Sequence, residues 1–193
     1  MARPKEFDVD EALGTAQRVF WEKGYEATTT EDLRQAMGIG RQSFYDSFVG
    51  KHDVFLKALT KYCDDRFTST MDLVESAESP LVAIEGLLQA IPDESEADRK
   101  RGCFGVSTMC ALGTADEDAQ AIGALSTKRL LHALTELLKS AKQKRQIRAD
   151  VIEADAAAQL HATIVGMRVL ARGGAKREML RGIAKSALAG LTK

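Results

Sequence analysis

The sequence predicts an all-α protein, a small three-helix head followed by a larger helical body. Three observations carry that expectation. Ala and Leu recur throughout while runs of β-branched residues are few, which favours helix over strand. Only three prolines interrupt 193 residues. Apolar residues also return at three- and four-residue spacing between capping residues and glycines, the punctuation of successive helices. No alternating run reads as a strand, and there is no internal repeat or low-complexity tract.

The first helix begins near Val9, where Asp8 can cap and Glu11 sits three residues later. Leu13, Ala16, Phe20 and Trp21 recur at helical spacing, and Lys23-Gly24 supplies a cation and a C′ glycine to close it. Thr29 as N-cap, with Asp32 at the third helical position, starts a second short helix. Leu33, Ala36 and Met37 are expected to face inward and Gly38 to stop it. Gly38-Ile39-Gly40 then reads as a tight turn holding one apolar residue between two glycines. A third helix, Arg41 to Phe48, follows at once, and Gly50 breaks it.

A long helix opens at Lys51 and runs towards Ala77. Val54, Phe55, Ala58, Leu59, Tyr62, Arg66, Phe67 and Met71 trace its mostly apolar stripe. Ser79-Pro80 starts another helix reaching about Ala90. Between Pro92 and Gly102 the acids precede Arg99, Lys100 and Arg101, an order that suits a helix dipole, so a short surface helix and a loop both fit. Cys103 to Leu112 is a compact apolar segment. Thr114 with Glu117 reads as a capping box for a long helix ending in Lys139, Lys142, Lys144 and Arg145. Asp150 with Glu153 starts a further helix through Leu160, Ile164, Met167 and Leu170, closed by Gly173-Gly174. A last helix runs from Ala175 to Leu191. The expected units are residues 1–50 and 51–193.

Composition removes several classes. Apolar residues at 45% and charged residues at 28% argue against dominant disorder. Lys and Arg number 27 against 28 acids, which excludes a polycationic, histone-like chain. Three cysteines without framework spacing, and no signal-like opening segment, point to a reducing cytoplasm. The best apolar stretch, Leu160 to Leu170, is too short to span a membrane and carries Arg168.

Two short helices joined by a glycine turn, with a third before them, is the composition cue for a helix-turn-helix DNA-binding unit, although such corners also occur in many helical bundles. Arg41, Gln42 and Ser43 occupy the first turn of the third helix, where such a helix meets base edges; Arg suits guanine and Gln suits adenine. Tyr45 and Lys51 fall at the edges of that helix, within reach of phosphates, as do the amides after Thr29. Net charge works against this reading. Through Lys51 there are seven basic residues and nine acids. Most of the acids, however, fall on the first helix or at the start of the second, so Arg3, Lys5, Arg41 and Lys51 can still form a local positive face.

The run Phe20-Trp21-Glu22-Lys23-Gly24-Tyr25-Glu26-Ala27-Thr28-Thr29, followed by Leu33, Ala36-Met37-Gly38-Ile39 and Ser43-Phe44-Tyr45-Asp46-Ser47-Phe48, resembles the head of the TetR/AcrR family of bacterial transcriptional regulators. Lys51 stands where that family opens its fourth helix. The resemblance is dense over the first third of the chain and looser through Gly102-Cys103-Phe104, the Gly166-to-Gly174 stretch and the last helix. It implies an N-terminal helix-turn-helix head and a C-terminal helical bundle for ligand binding and dimerisation. It also implies a homodimer through roughly Glu153–Arg172 and Ala175–Leu191, a palindromic DNA operator and a small-molecule effector. By the same carry-over Thr29, Thr30, Arg41, Gln42, Ser43, Tyr45 and Lys51 are the DNA-contact positions. Gln42 stands where the family more often has a small residue, which implies a different base preference. Arg3 and Lys5 precede the first helix as a short basic arm.

Candidate effector-binding residues are Phe67, Met71, Cys103, Phe104, Met109 and His132, all expected on helices of the body, where each also reads as plain core. Cys103 follows Arg99, Lys100, Arg101 and Gly102. Cations and a helix start favour a thiolate and hence an oxidant- or electrophile-triggered switch; a small buried hydrophobe is the other reading. Cys110 lies seven residues on, about 10 Å along a helix, beyond disulfide reach. Neither a cofactor nor a metal is expected. No phosphate-cradling glycine loop, metal-spaced His pair or Glu-x-x-His element is present, so an enzyme is not expected. A helical adaptor that binds no DNA is the rival class.

Overall fold

The structure, a computed structural model, describes residues 7–113 and 115–192, and every regular element among them is helical. The head comprises α1 (Val9–Lys23), α2 (Thr30–Met37) and α3 (Arg41–Ser47). The body comprises α4 (Lys51–Ser76), α5 (Pro80–Asp93), α6 (Glu96–Arg101), α7 (Phe104–Leu112), α8 (Glu117–Gln143), α9 (Glu153–Arg172) and α10 (Arg177–Ala189). The basic arm expected at Arg3 and Lys5 lies outside the described residues. No helix among the described residues is long and apolar enough to cross a membrane.

Local chemistry explains most of the boundaries. The Asp8 carboxylate accepts the amides of Asp10 and Glu11 and opens α1. The Ser79 hydroxyl accepts from the Val82 amide at α5, with Pro80 in the first turn. The segment left open between helix and loop is α6, capped by the Ser95 hydroxyl on the Asp98 amide. Elsewhere the expectations need correction. Thr114 lies outside the described residues, and α8 is opened by Asp116, whose carboxylate accepts from Ala119. Asp150 does not open α9: it pairs with Arg148 at 3.2 Å, and Ile152 stands at the N-cap without a side-chain bond. Helix α5 runs past Ala90 through Pro92, because a proline in the last turn forfeits a single backbone bond. Ala36 is exposed, so α2 turns only Leu33 fully inward.

Two hydrophobic clusters hold the fold. The N-terminal one joins Leu13, Ala16, Phe20, Leu33, Ile39, Phe44 and Phe48 of the head to Val54, Phe55, Leu59 and Tyr62 of α4, and then to Phe104 and Ala119. The second gathers Ile84, Leu88, Leu134, Leu138, Leu160, Met167, Leu180 and Ala184 from α5, α8, α9 and α10. Helix α4 enters the first cluster with its N-terminal turns. At 26 residues it is about 39 Å long and extends from the head across the body.

Candidate nucleic-acid interface

The turn between α2 and α3 is built by the backbone. Gly38 takes a left-handed conformation (φ 66°, ψ 27°) that side chains with a Cβ adopt only at a cost. Its amide donates to the Gln35 carbonyl, and the Ile39 amide donates to Arg34 at 3.1 Å, the paired bonds of a Schellman cap. Ile39 is thereby turned under the corner and buried. The start of α2 is equally determined. The Thr29 hydroxyl accepts from the Asp32 amide at 3.0 Å, and the Asp32 carboxylate accepts from the Thr29 amide at 2.9 Å. The Lys23 ammonium, 2.7 Å away, and then Thr29 hold the Asp32 carboxyl well below the usual carboxylate range.

Helix α3 hangs from the core by two rings. Phe44 and Phe48 are buried 5.4 Å apart, and Phe44 meets Tyr45 edge to face. That anchoring leaves Arg41, Gln42, Tyr45 and Asp46 on the outer face, with Tyr45 50% exposed. Gln42 donates to Asp46 at 2.7 Å, so one acid of the head is already engaged there. No side chain caps α3 at Gly40. Ser43 and Thr30 are partly buried and Thr29 is exposed.

Lys51 does not extend freely beside α3. Its ammonium sits 4.3 Å above the Tyr25 ring and donates to the Tyr25 carbonyl at 3.0 Å, tying the start of α4 to the loop after α1. Next to it, His52 Nε2 lies 2.9 Å from Asp116, joining α4 to α8. Ligand atoms of His52, Asp116 and Asp118 fall within 4.8 Å of one another. Two helix N-termini meet at that point and their dipoles oppose a cation. The Ala119 amide and then His52 hold the Asp116 carboxyl below its ordinary range.

Of the six body residues singled out from sequence, two come together and four lie apart from them. Cys103 and Phe104 line a groove of about 450 Å³ between the end of α1, α7 and α9. Met109 is 51% exposed, and His132 is exposed on α8. Phe67 lies under the Arg129 guanidinium at 4.3 Å, and Met71 is partly buried further along α4. The groove instead brings in Trp21, Tyr25, Arg168 and Arg172, none of which sequence reasoning placed there. Arg168 in the middle of an apolar helix was the visible signal. The Cys103 sulfur accepts from the Tyr62 hydroxyl at 3.2 Å, burial holds that phenol above its ordinary range, and all three cysteines are free.

A three-helix head with a glycine-turned recognition helix, seated on a helical body, defines a helix-turn-helix transcriptional regulator. The family model for bacterial regulatory proteins of the tetR family matches residues 12–58. The chain is 32% identical to the HTH-type transcriptional repressor ComR of Escherichia coli, across 96% of this chain and 90% of that protein. It is 29% identical to the HTH-type transcriptional regulator YezE of Bacillus subtilis, across 82% of each. A cysteine mutant of the TetR family regulator CifR, complexed with 26-bp operator DNA, superposes with a TM-score of 0.81 at 26% identity, over 97% of this chain and 98% of that one. The chain belongs to the TetR family of bacterial transcriptional regulators. These relatives are transcriptional regulators rather than enzymes, and CifR is bound to operator DNA.

Proposed function

We propose that this protein is a homodimeric repressor that binds a palindromic operator through α3 and leaves it when a small effector occupies the body. The observation that carries the reading is the outer face of α3, where Arg41, Gln42 and Tyr45 are exposed beside a rigid glycine turn. Arg41 and Gln42 act as base readers, with Ser43 behind them. Thr29, Thr30 and Tyr45 contact phosphates, and Lys51 joins them on leaving the Tyr25 ring. Residues 1–50 serve as the DNA-binding unit and 51–193 as the sensing and dimerising unit. The repressor named among the relatives supports repression as the mode of action.

Dimerisation is supported by the outward side of the last two helices. On α9, Ala158, Ala162, Val165, Gly166 and Val169 share the face turned from the body core, where a solvated helix carries charge. On α10, Met179, Gly182 and Ser186 continue that small, apolar character. To read a palindrome, the α3 helices of the two copies must sit about one DNA turn or more apart, roughly 34–36 Å. The effector then acts by population shift, lowering DNA affinity by its differential affinity for body geometries that break the spacing.

Selection of bound sequences from a random DNA pool tests the reading. The expected result is a palindrome whose affinity falls steeply with salt. Arg41→Ala should weaken it about 10- to 100-fold with relaxed preference at one position of each half-site. Failure to enrich any sequence overturns the reading. A second trigger is favoured by one contact: Cys103 opens into the groove with its sulfur on the Tyr62 hydroxyl. In that case Cys103→Ser should abolish operator release by an electrophile such as N-ethylmaleimide, and unchanged release would overturn it.

A further inference from the structure

Beside the groove of about 450 Å³ lies a smaller cavity of about 190 Å³ between α1, α4, α6 and α9, and the two share Trp21 and Arg168 in their walls. The walls are aromatic. Trp21 meets Tyr62 edge to face at 5.2 Å and lies 6.0 Å from Phe104. Arg168 is 7% exposed, an unusual degree of burial for a guanidinium. Its Nη1 donates to Glu94 at 2.6 Å. A guanidinium has five N–H donors, and Arg168 makes no other protein hydrogen bond among the described residues. Its remaining nitrogens are not among the buried unpartnered atoms, so they open onto the cavities.

The surrounding charge has the same sign. Lys23, Arg66, Arg101, Arg168 and Arg172 line the two cavities against Glu22, Glu94 and Asp98; with Lys23 already held by Asp32, one positive charge remains in excess, in a chain whose net charge is −1. Arg172 reaches over from α9 to the Ser107 hydroxyl on α7, so a second guanidinium crosses the mouth of the groove. A buried, partly unused guanidinium against an aromatic wall is the chemistry that recognises a carboxylate carried on an apolar group.

We propose that this junction binds a small aryl or alkyl carboxylate, its apolar part against Trp21 and Phe104 and its carboxylate on Arg168 and Arg172, and that this class of molecule is the effector. The effector role rests on the regulatory reading above. Position supplies the link to DNA. One wall is the end of α1 in the head and the other is α7 and α9 in the body, and Trp21 Nε1 ties them by donating to the Arg101 carbonyl at 3.0 Å. A molecule lodged against Trp21 competes with that tie and so biases the seating of the head on the body.

Trp21 is the sole tryptophan, so its emission reports on this junction alone. The intact protein is titrated with hydrocinnamate and octanoate and, separately, with their neutral amides. The expected result is a saturable change with the acids and binding about ten-fold weaker or worse with the amides. Arg172→Gln should weaken acid binding several-fold. The double variant Arg168→Gln with Glu94→Gln removes both members of the buried pair together, leaving no unpaired charge, and should abolish the preference for acid over amide. No saturable response, equal binding of acid and amide, or unchanged acid binding in Arg172→Gln overturns the site, whether or not the double variant folds. Affinity for the selected operator is read in the same samples. Saturation of Trp21 with unchanged operator affinity overturns the effector role and leaves the site. Absence of operator binding by ligand-free protein overturns the regulatory reading instead, and the titration still decides the site.

Discussion

The head and the body are both helical, yet different chemistry holds each. Around the head, Phe20, Phe44, Phe48, Phe55, Tyr62 and Phe104 are buried together, with neighbouring ring centroids such as Phe20–Phe55 and Phe55–Phe104 at 5.2 and 6.0 Å. The body cluster buries Ala, Ile, Leu, Val and Met and no aromatic ring. Aromatic pairs favour particular edge-to-face arrangements, so the head fixes the angle at which α3 is presented. Aliphatic contacts are non-directional, so the body helices are held by shape and buried area rather than by ring geometry. A reader held by ring geometry on an aliphatic body is the division of labour that the proposed effector control calls for.

The comparison can be broken most forcefully at Phe44. Phe44→Ala, at a fully buried position, should cost about 3–5 kcal/mol. It should abolish operator binding while most of the helical circular dichroism signal survives; loss of the whole signal in one transition would show the two clusters to be a single cooperative unit. Leu138→Ala in the body, equally buried, should cost about 2–5 kcal/mol by denaturant titration. Operator affinity per folded molecule should stay unchanged, and a loss comparable to that of Phe44→Ala would erase the distinction.

Smaller effects sharpen it. Gly38→Ala meets no atom within 4 Å, so its expected cost of about 1–2 kcal/mol is backbone strain at positive φ alone. A calorimetric shift confined to the head checks this. Thr29→Ala removes one half of the capping box and should cost about 1 kcal/mol, with fraying of α2 visible by amide exchange. The smallest effect is pH-dependent. Because the Asp116 carboxyl is held below its unfolded value, its contribution is complete above about pH 4 and is lost as the pH falls through the depressed folded value. Asp116→Asn should therefore be less stable than the wild type at neutral pH, with the difference shrinking in acid.

Much of the head was legible because its signals are local. Thr29 with Asp32, and Gly38 before Ile39, are combinations whose hydrogen bonds close within a few residues, so residue type alone identifies them. The same logic failed where two acceptors compete. Asp116 is the cap observed at α8, and Asp150 is drawn to Arg148, neither of which a cap pattern can rank. Lys51 illustrates a different limit. Its position marks the start of a helix correctly, but the Tyr25 ring that holds its ammonium is supplied by another turn of the fold.

Residue order by itself determined the all-α class, the sites of most helix ends and the recognition turn, because caps, periodicity and positive-φ glycines act over one or two turns of chain. Only the tertiary structure decided which side chains meet at the junction between head and body. Trp21, Arg101 and Arg168 lie on α1, α6 and α9, and no short-range pattern links them. They meet because α1 is held in one hydrophobic cluster and α9 in the other, while α6, which buries no residue, is tied to α1 by the Trp21 bond to the Arg101 carbonyl. Hydrophobic burial specifies which faces come inward but not which polar groups arrive at the seam between them. That convergence is a property of the folded chain.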